Sequence, residues 1–211
     1  MAEFTFFTNP MSRGQIARWA LHEAGADYEQ VLVDWQDKPA ALLEANPLGK
    51  VPTIVHHIAE GDLPVSEAAA VCHYLAETHP RAELLPDGPE KAPYFRMMFF
   101  AAGPVEQAVT AKAMGWDVPG DRTGMAGFGT WDRTIDMLES EIGKGAFVCG
   151  DRFTMADVYV GSQVDWGLQF GTLPERPAFT TYAGRLRERD AYRAAKEIDL
   201  ALIAEAQAGD G

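Results

Sequence analysis

Residues 46–54 read Asn-Pro-Leu-Gly-Lys-Val-Pro-Thr-Ile, and twelve residues on from Ile54 begins Ser66-Glu67-Ala68-Ala69-Ala70-Val71-Cys72-His73-Tyr74-Leu75. The first stretch sets Pro52 at the mouth of an apolar run, Thr53-Ile54-Val55. Proline has no N–H, so it suits the start or edge of a strand and not its middle. An X-Pro bond can also be cis, and a cis bond here would turn the chain sharply and leave the Val51 N–H and C=O free for another partner. The second stretch predicts a helix from Ser66 to about Glu77, with Ser66 as N-cap and Val71, Cys72, Leu75 and Ala76 on its apolar side. Free backbone groups beside a helix N-terminus suit the grip of a peptide-like anion.

Upstream, residues 3–8 predict a strand ending at Asn9-Pro10. Helical spacing follows through Ile16, Trp19, Ala20 and Leu21 and stops at Gly25. Tyr28–Val33 and Val51–His57 read as further strands and Lys38–Glu44 as a short helical stretch. The turn Glu60-Gly61-Asp62 leads to a brief fourth strand. Strands alternating with helices and closing on a hairpin predict an α/β layer with a mixed sheet. Pro86-Asp87-Gly88-Pro89 reads as a linker, and nearly everything beyond it is helical. Met125, Phe128, Trp131, Ile135, Leu138 and Ile142 form one amphipathic stripe, and Gly103-Pro104 divides or kinks the helix before it. Thr154-Met155-Ala156-Asp157 is a capping box, with Phe153 and Val158 placed as its hydrophobic staple.

The 211 residues carry 18 Lys/Arg against 31 Asp/Glu, a formal net charge of −13. Residues 1–80 alone hold four basic and eleven acidic side chains. Both halves are acidic, which argues against nucleic acid or an anionic membrane as the main partner. No run approaches the ~20 apolar residues of a membrane helix, and Asn9-Pro10 interrupts any signal-like segment. The expected location is cytoplasmic. Cys72 and Cys149 show no C-x-x-C spacing, so neither a dithiol motif nor a zinc knuckle is indicated. His56-His57 points to opposite faces of a strand, and no Cys/His/Asp cluster completes a metal site.

Taken together, Asn46-Pro47-x-Gly49-x-Val51-Pro52, the Glu67 helix ending in Tyr74-Leu75, and Phe153-Thr154-x-Ala156-Asp157 resemble the cytosolic, bacterial-type glutathione S-transferase family over nearly the whole chain. The resemblance implies a thioredoxin-like α/β N-terminal domain over 1–80, a linker over 81–89 and an all-α C-terminal domain over 90–211. In that family Pro52 would be the cis-proline and Val51 would pair its backbone with the cysteine moiety of glutathione. Glu67 would accept from the γ-glutamyl α-amino group. Ala68 stands where the family usually has serine, so it offers the α-carboxylate only its backbone N–H, with Ser66 as a substitute hydroxyl. Lys38 and Lys50 are placed for the glycine carboxylate. Asp157 would be structural.

The implied chemistry is stabilisation of the glutathione thiolate. A free thiol ionises near ~8.5, and lowering that by about two units takes roughly 2.7 kcal/mol of preference for the anion. The family's tyrosine position falls on Phe7, which has no hydroxyl; the later positions fall on Met11, Ser12 and Arg13. Ser12 is the expected donor with Arg13 beside it, although Ser12-Arg13-Gly14-Gln15 also fits a helix capping box. Thr8 and Asn9 are weaker donors. Met11, Met114 and Trp116 are candidates for the electrophile pocket, which the resemblance puts between the domains. The expected protein is a homodimeric detoxifying transferase that takes glutathione as co-substrate and a small apolar electrophile, with no metal. The alternative is a non-catalytic interaction or regulatory module of the same fold, which the departures at Phe7 and Ala68 would favour. A thioredoxin-like reductase is a third reading that lacks its cysteine near Ser12.

Overall fold

A computed structural model describes residues 2–209. Two compact units divide the chain: one comprises the residues up to Leu85 and those from Glu188 onward, the other Pro86–Arg187. The helical segment expected over 90–211 is therefore split, because its last helix packs within the first unit.

In that unit β1 (Phe4–Thr8), β2 (Tyr28–Leu32), β3 (Thr53–Ile58) and β4 (Gly61–Ser66) form one sheet in the order β2-β1-β3-β4. β1 runs parallel to β2 and antiparallel to β3, and β3 to β4 is antiparallel. The parallel pair is joined by α1 (Gly14–Ala24), as a crossover requires. Gly25, at φ 68°, closes that helix in the left-handed conformation. The short α2 (Ala40–Ala45) precedes β3, and α3 (Ala68–Thr78) follows β4. The run Phe-Thr-Phe-Phe-Thr of β1 is apolar on both faces because both faces are covered. Phe4 and Phe6 are fully buried, as are Leu21, Val71 and Leu75 of the helices, while Phe7 packs oppositely with Val33 and Leu42. Each such buried phenylalanine contributes about 1.5–3 kcal/mol.

α9 (Asp190–Gly209) completes this unit by lying along α1. The fully buried Arg18 donates through Nε to Asp199 Oδ1 at 2.9 Å and through Nη1 to the Tyr28 hydroxyl at 3.1 Å. Trp19 meets the Tyr192 ring edge-on at 5.1 Å, and Arg189 grips Glu23 with two bonds of 2.6 and 2.7 Å.

The second unit holds α4 (Lys91–Phe100), α5 (Glu106–Ala113), α6 (Trp131–Ile142), α7 (Met155–Gln169) and α8 (Pro177–Arg187). Pro104 does not end the helix it interrupts; Ala101–Val105 takes a π-helical turn that carries α4 into α5. The stripe through Ile135, Leu138 and Ile142 is buried as its spacing predicts, but Met125 and Phe128 lie before the helix, which starts at Trp131 behind the Thr130 cap. The capping box at Thr154 forms in both directions, and Phe153 and Val158 are buried beside it.

Candidate active site

Register brings the informative segments to one end of the sheet. Thr53 pairs with Ser66 on one side and with Phe7 on the other, and Thr8 pairs with Leu32. The turn before β3, the residue after β4 and the loops after β1 and β2 therefore share an edge, at the carboxyl ends of the parallel strands where α/β sheets bind ligands.

The Val51–Pro52 bond is cis. Asn46, buried inside the turn, holds it: its Nδ2 donates to the Lys50 carbonyl at 3.2 Å and to Thr53 Oγ1 at 3.1 Å, and its Oδ1 accepts from Leu48 N–H at 3.2 Å. The Thr53 hydroxyl adds a 2.8 Å bond to the same Lys50 carbonyl. With Asn46 and Thr53 occupying the Lys50 carbonyl, the Val51 N–H and C=O meet no hydrogen-bonding partner among the described residues. Asn46 was readable only as part of the motif; its role as the turn's internal brace needs the fold.

Ser66 is not the N-cap. Its pairing with Thr53 keeps it in β4, and Glu67 takes the cap position without a side-chain cap bond. Glu67 sits at φ 70°, ψ 119°, a region that costs a non-glycine residue on the order of 1–3 kcal/mol. Helix α3 opens at Ala68, two residues later than the spacing predicts. Val71 N–H is the first to find a helical partner, the Glu67 carbonyl at 2.9 Å, so the N–H groups of Ala68, Ala69 and Ala70 form an uncapped positive helix end. The Glu67 carboxylate is exposed beside them.

Lys38 folds over the same turn. A Cβ added to Gly49 would lie 3.1 Å from Lys38 Cδ and 3.2 Å from Nζ, and Gly49 itself has φ +58°. Only glycine satisfies both conditions. Lys50, two residues before Pro52, is exposed.

The loop after β1 is closed by its own hydrogen bonds. Asn9 Nδ2 donates to the Val33 carbonyl at 3.0 Å and its Oδ1 accepts from Met11 N–H at 2.9 Å. Ser12 Oγ donates to the Asn9 carbonyl at 2.6 Å and accepts from Gly14 N–H at 3.0 Å. This is a serine turn and not the capping box that the Ser12–Gln15 spacing fits: Gln15 Nε2 reaches back to the Pro10 carbonyl at 2.5 Å instead. Asn9 is spent on the loop's own frame. Arg13 and Met11 are exposed and Ser12 is half-buried. Phe7 is buried in the core, so the strand end offers no aromatic hydroxyl.

Met114 and Trp116 belong to the second unit, just beyond α5, and both are largely exposed. Trp116 lines a mainly apolar cleft of about 340 Å³ together with Glu106, Gln107, Thr110, Ala111 and Phe128; Met114 is not part of its wall. Burial pushes the Cys72 thiol far up and raises that of Cys149 to about 11, so both stay protonated at neutral pH. A thiolate reacting here would come from a ligand. Among the described residues no group of three or more His, Cys, Asp or Glu could hold a metal ion, and no helix is long and apolar enough to cross a membrane.

Comparison with known proteins agrees with this geometry. Residues 2–77 match the family described as Glutathione S-transferase, N-terminal domain, and residues 99–166 that described as Glutathione S-transferase, C-terminal domain. Glutathione S-transferase A of Pleuronectes platessa is 28% identical over 169 residues, which span 75% of this chain and 73% of that protein. Glutathione S-transferase F14 of Arabidopsis thaliana is 24% identical over 196 residues, 83% of this chain and 76% of that protein. A crystal structure of a glutathione transferase homologue from Sulfitobacter with bound glutathione is 27% identical, with a TM-score of 0.73 over 93% of this chain and 98% of that one. Both halves of one family's pattern are matched in order along the chain, and the cis-Pro52 turn stands beside Glu67 at the head of α3: the protein belongs to the glutathione S-transferase family.

Proposed function

We propose that the protein is a glutathione transferase that binds glutathione along the Val51–Pro52 turn and stabilises its thiolate for attack on a small apolar electrophile. The observation that carries the reading is the open Val51 backbone pair beside the uncapped α3 and the left-handed Glu67. A peptide lying antiparallel to the turn pairs its cysteinyl N–H and C=O with Val51, as one added strand residue would. Its γ-glutamyl α-amino group donates to Glu67, and its α-carboxylate takes the Ala68 N–H at the positive end of α3. Lys38 and Lys50 meet the glycine carboxylate, with Lys38 already laid across Gly49.

Ser12 is the proposed thiolate donor, with Arg13 adding positive charge at the same loop. The Ser12 proton points at the Asn9 carbonyl, so donation to sulfur exchanges one acceptor for another while the Gly14 N–H bond stays in place. A charged acceptor is worth more than a neutral one, which favours the exchange once the thiolate is present. Met11, exposed on the same loop, is the proposed contact of this unit for the electrophile. The working protein is proposed to be a cytoplasmic homodimer.

Retention on immobilised glutathione together with turnover of 1-chloro-2,4-dinitrobenzene tests the reading; failure of both would leave only a binding module of this fold. Ser12→Ala is expected to lower kcat/KM roughly 10–100-fold, the worth of one hydrogen bond to a charged group. Its pH profile should shift upward. Unchanged turnover and an unchanged profile would move the donor role to a backbone N–H or to Arg13.

A further inference from the structure

The helix that sequence reading assigns to the other domain meets the first turn of α1, just past the loop that carries Ser12. Along α9, Tyr192, Ala195, Lys196 and Asp199 recur at helical spacing, and the two charged members of this row each meet α1. Asp199 is the buried partner of Arg18. Lys196 Nζ donates to Gln15 Oε1 at 2.6 Å, and the same Gln15 amide donates through Nε2 to the Pro10 carbonyl at 2.5 Å. Pro10 stands one residue beyond Asn9, whose carbonyl takes the Ser12 proton. Lys196, Gln15 and Pro10 therefore form one relay that fixes the amide of Gln15, because Oε1 accepts only if Nε2 faces the loop.

We propose that Gln15 and Lys196 are positioning residues for the thiolate-stabilising loop, the ammonium of α9 polarising the Gln15 amide so that it clamps the Pro10 carbonyl and holds Asn9 and Ser12 in register. The proposal rests on the transferase reading for its catalytic consequence but not for its structural one. Chained hydrogen bonds of which one member is charged reinforce each other. Neither side chain touches glutathione in this account; both act through Ser12. The ammonium also sits 5.5 Å from the centre of the Tyr192 ring, and burial raises the Asp199 carboxyl against the pull of Arg18 and, to a smaller extent, of Lys196, so α9 itself offers the ammonium favourable surroundings.

The test uses the full-length protein and three variants, Lys196→Met, Lys196→Arg and Gln15→Leu. Amide hydrogen exchange over residues 9–16, without any ligand, reads the clamp directly. Methionine removes the ammonium while keeping an unbranched side chain of similar length. Lys196→Met and Gln15→Leu are expected to speed exchange in this loop about tenfold, an amount typical of one lost hydrogen bond, while Lys196→Arg restores protection. With glutathione and 1-chloro-2,4-dinitrobenzene, Lys196→Met should lower kcat by a similar factor and move the rising limb of the pH profile upward, with KM for glutathione unchanged. Lys196→Arg should return both towards the parent. Unchanged loop exchange in Lys196→Met and Gln15→Leu overturns the proposal whatever the activity. Faster exchange with an unmoved pH profile also overturns it, reducing the relay to a structural tie. An inactive parent protein that fails to bind glutathione sinks the transferase reading instead, and is told apart by the ligand-free exchange result.

Discussion

Asp157→Ala is expected to cost about 3–5 kcal/mol of folding stability, a large part of the ~5–15 kcal/mol available to a typical domain. The buried carboxylate accepts four hydrogen bonds: Val148 N–H at 2.7 Å, Thr154 N–H at 2.9 Å, Thr154 Oγ1 at 3.1 Å and the Tyr182 hydroxyl at 2.8 Å. They tie the chain before α7, the cap of α7 and the middle of α8 to one residue. Burial pushes the carboxyl up to about 6 against the pull of these donors, so it remains mostly ionised at neutral pH. Alanine leaves two backbone N–H groups and a buried phenol without their acceptor, each worth ~1–3 kcal/mol when orphaned. Tyr182→Phe, which removes one donor and leaves three, should cost only about 1 kcal/mol. Denaturant unfolding followed by tryptophan fluorescence measures both; similar midpoints for Asp157→Ala and Tyr182→Phe would contradict the account.

The second large effect is at the pair that fastens α9. Asp199→Ala is expected to cost about 3–5 kcal/mol, because it leaves the Arg18 guanidinium buried without a counter-ion. The Tyr28 hydroxyl, the Tyr28 ring at 5.9 Å and the Phe6 ring at 5.3 Å remain as soft partners of the guanidinium. The pair is no bargain in itself. Burial raises the Asp199 carboxyl despite the adjacent guanidinium, which means that desolvation outweighs attraction. Replacing both members with apolar side chains, Arg18→Met with Asp199→Leu, is therefore expected to recover most of the loss. Unfolding midpoints of the two single variants and the double variant form the cycle that measures this. A double variant as unstable as Asp199→Ala would show that the charges themselves are needed.

These two sites also mark what can be read without a structure. The Asp157 box lies within four residues, Thr154 to Asp157, and local capping chemistry has a local signature. The cis turn is equally local, since Pro52 heads an apolar run and Gly49 precedes it. Arg18 and Asp199 stand 181 residues apart and carry no mutual pattern, so the helix that extends the first unit reads as one more helix of the second. Near the site, errors arise where two local rules compete. Ser66 has the preference of an N-cap, but its ladder with Thr53 keeps it extended and hands the cap to Glu67. Ser12 and Gln15 have the spacing of a capping box, but the Gln15 Oε1 that would accept from the Ser12 N–H accepts from Lys196 instead, and Nε2 donates to the Pro10 carbonyl. The cleft at Trp116 was least legible, because Trp116 and Phe128 come to line it only in the fold and Met114, two residues from Trp116, is not part of its wall.

The central claim is that glutathione binds beside Pro52 and Glu67 with its thiol ionised. The direct measurement is a pH titration of the ultraviolet absorbance of the thiolate in the glutathione-saturated protein. The account predicts an apparent pKa roughly two units below the ~8.5 of a free thiol. In Ser12→Ala part of that depression should be lost. A bound thiol that titrates as it does in free solution, or no saturable binding of glutathione at all, would contradict it.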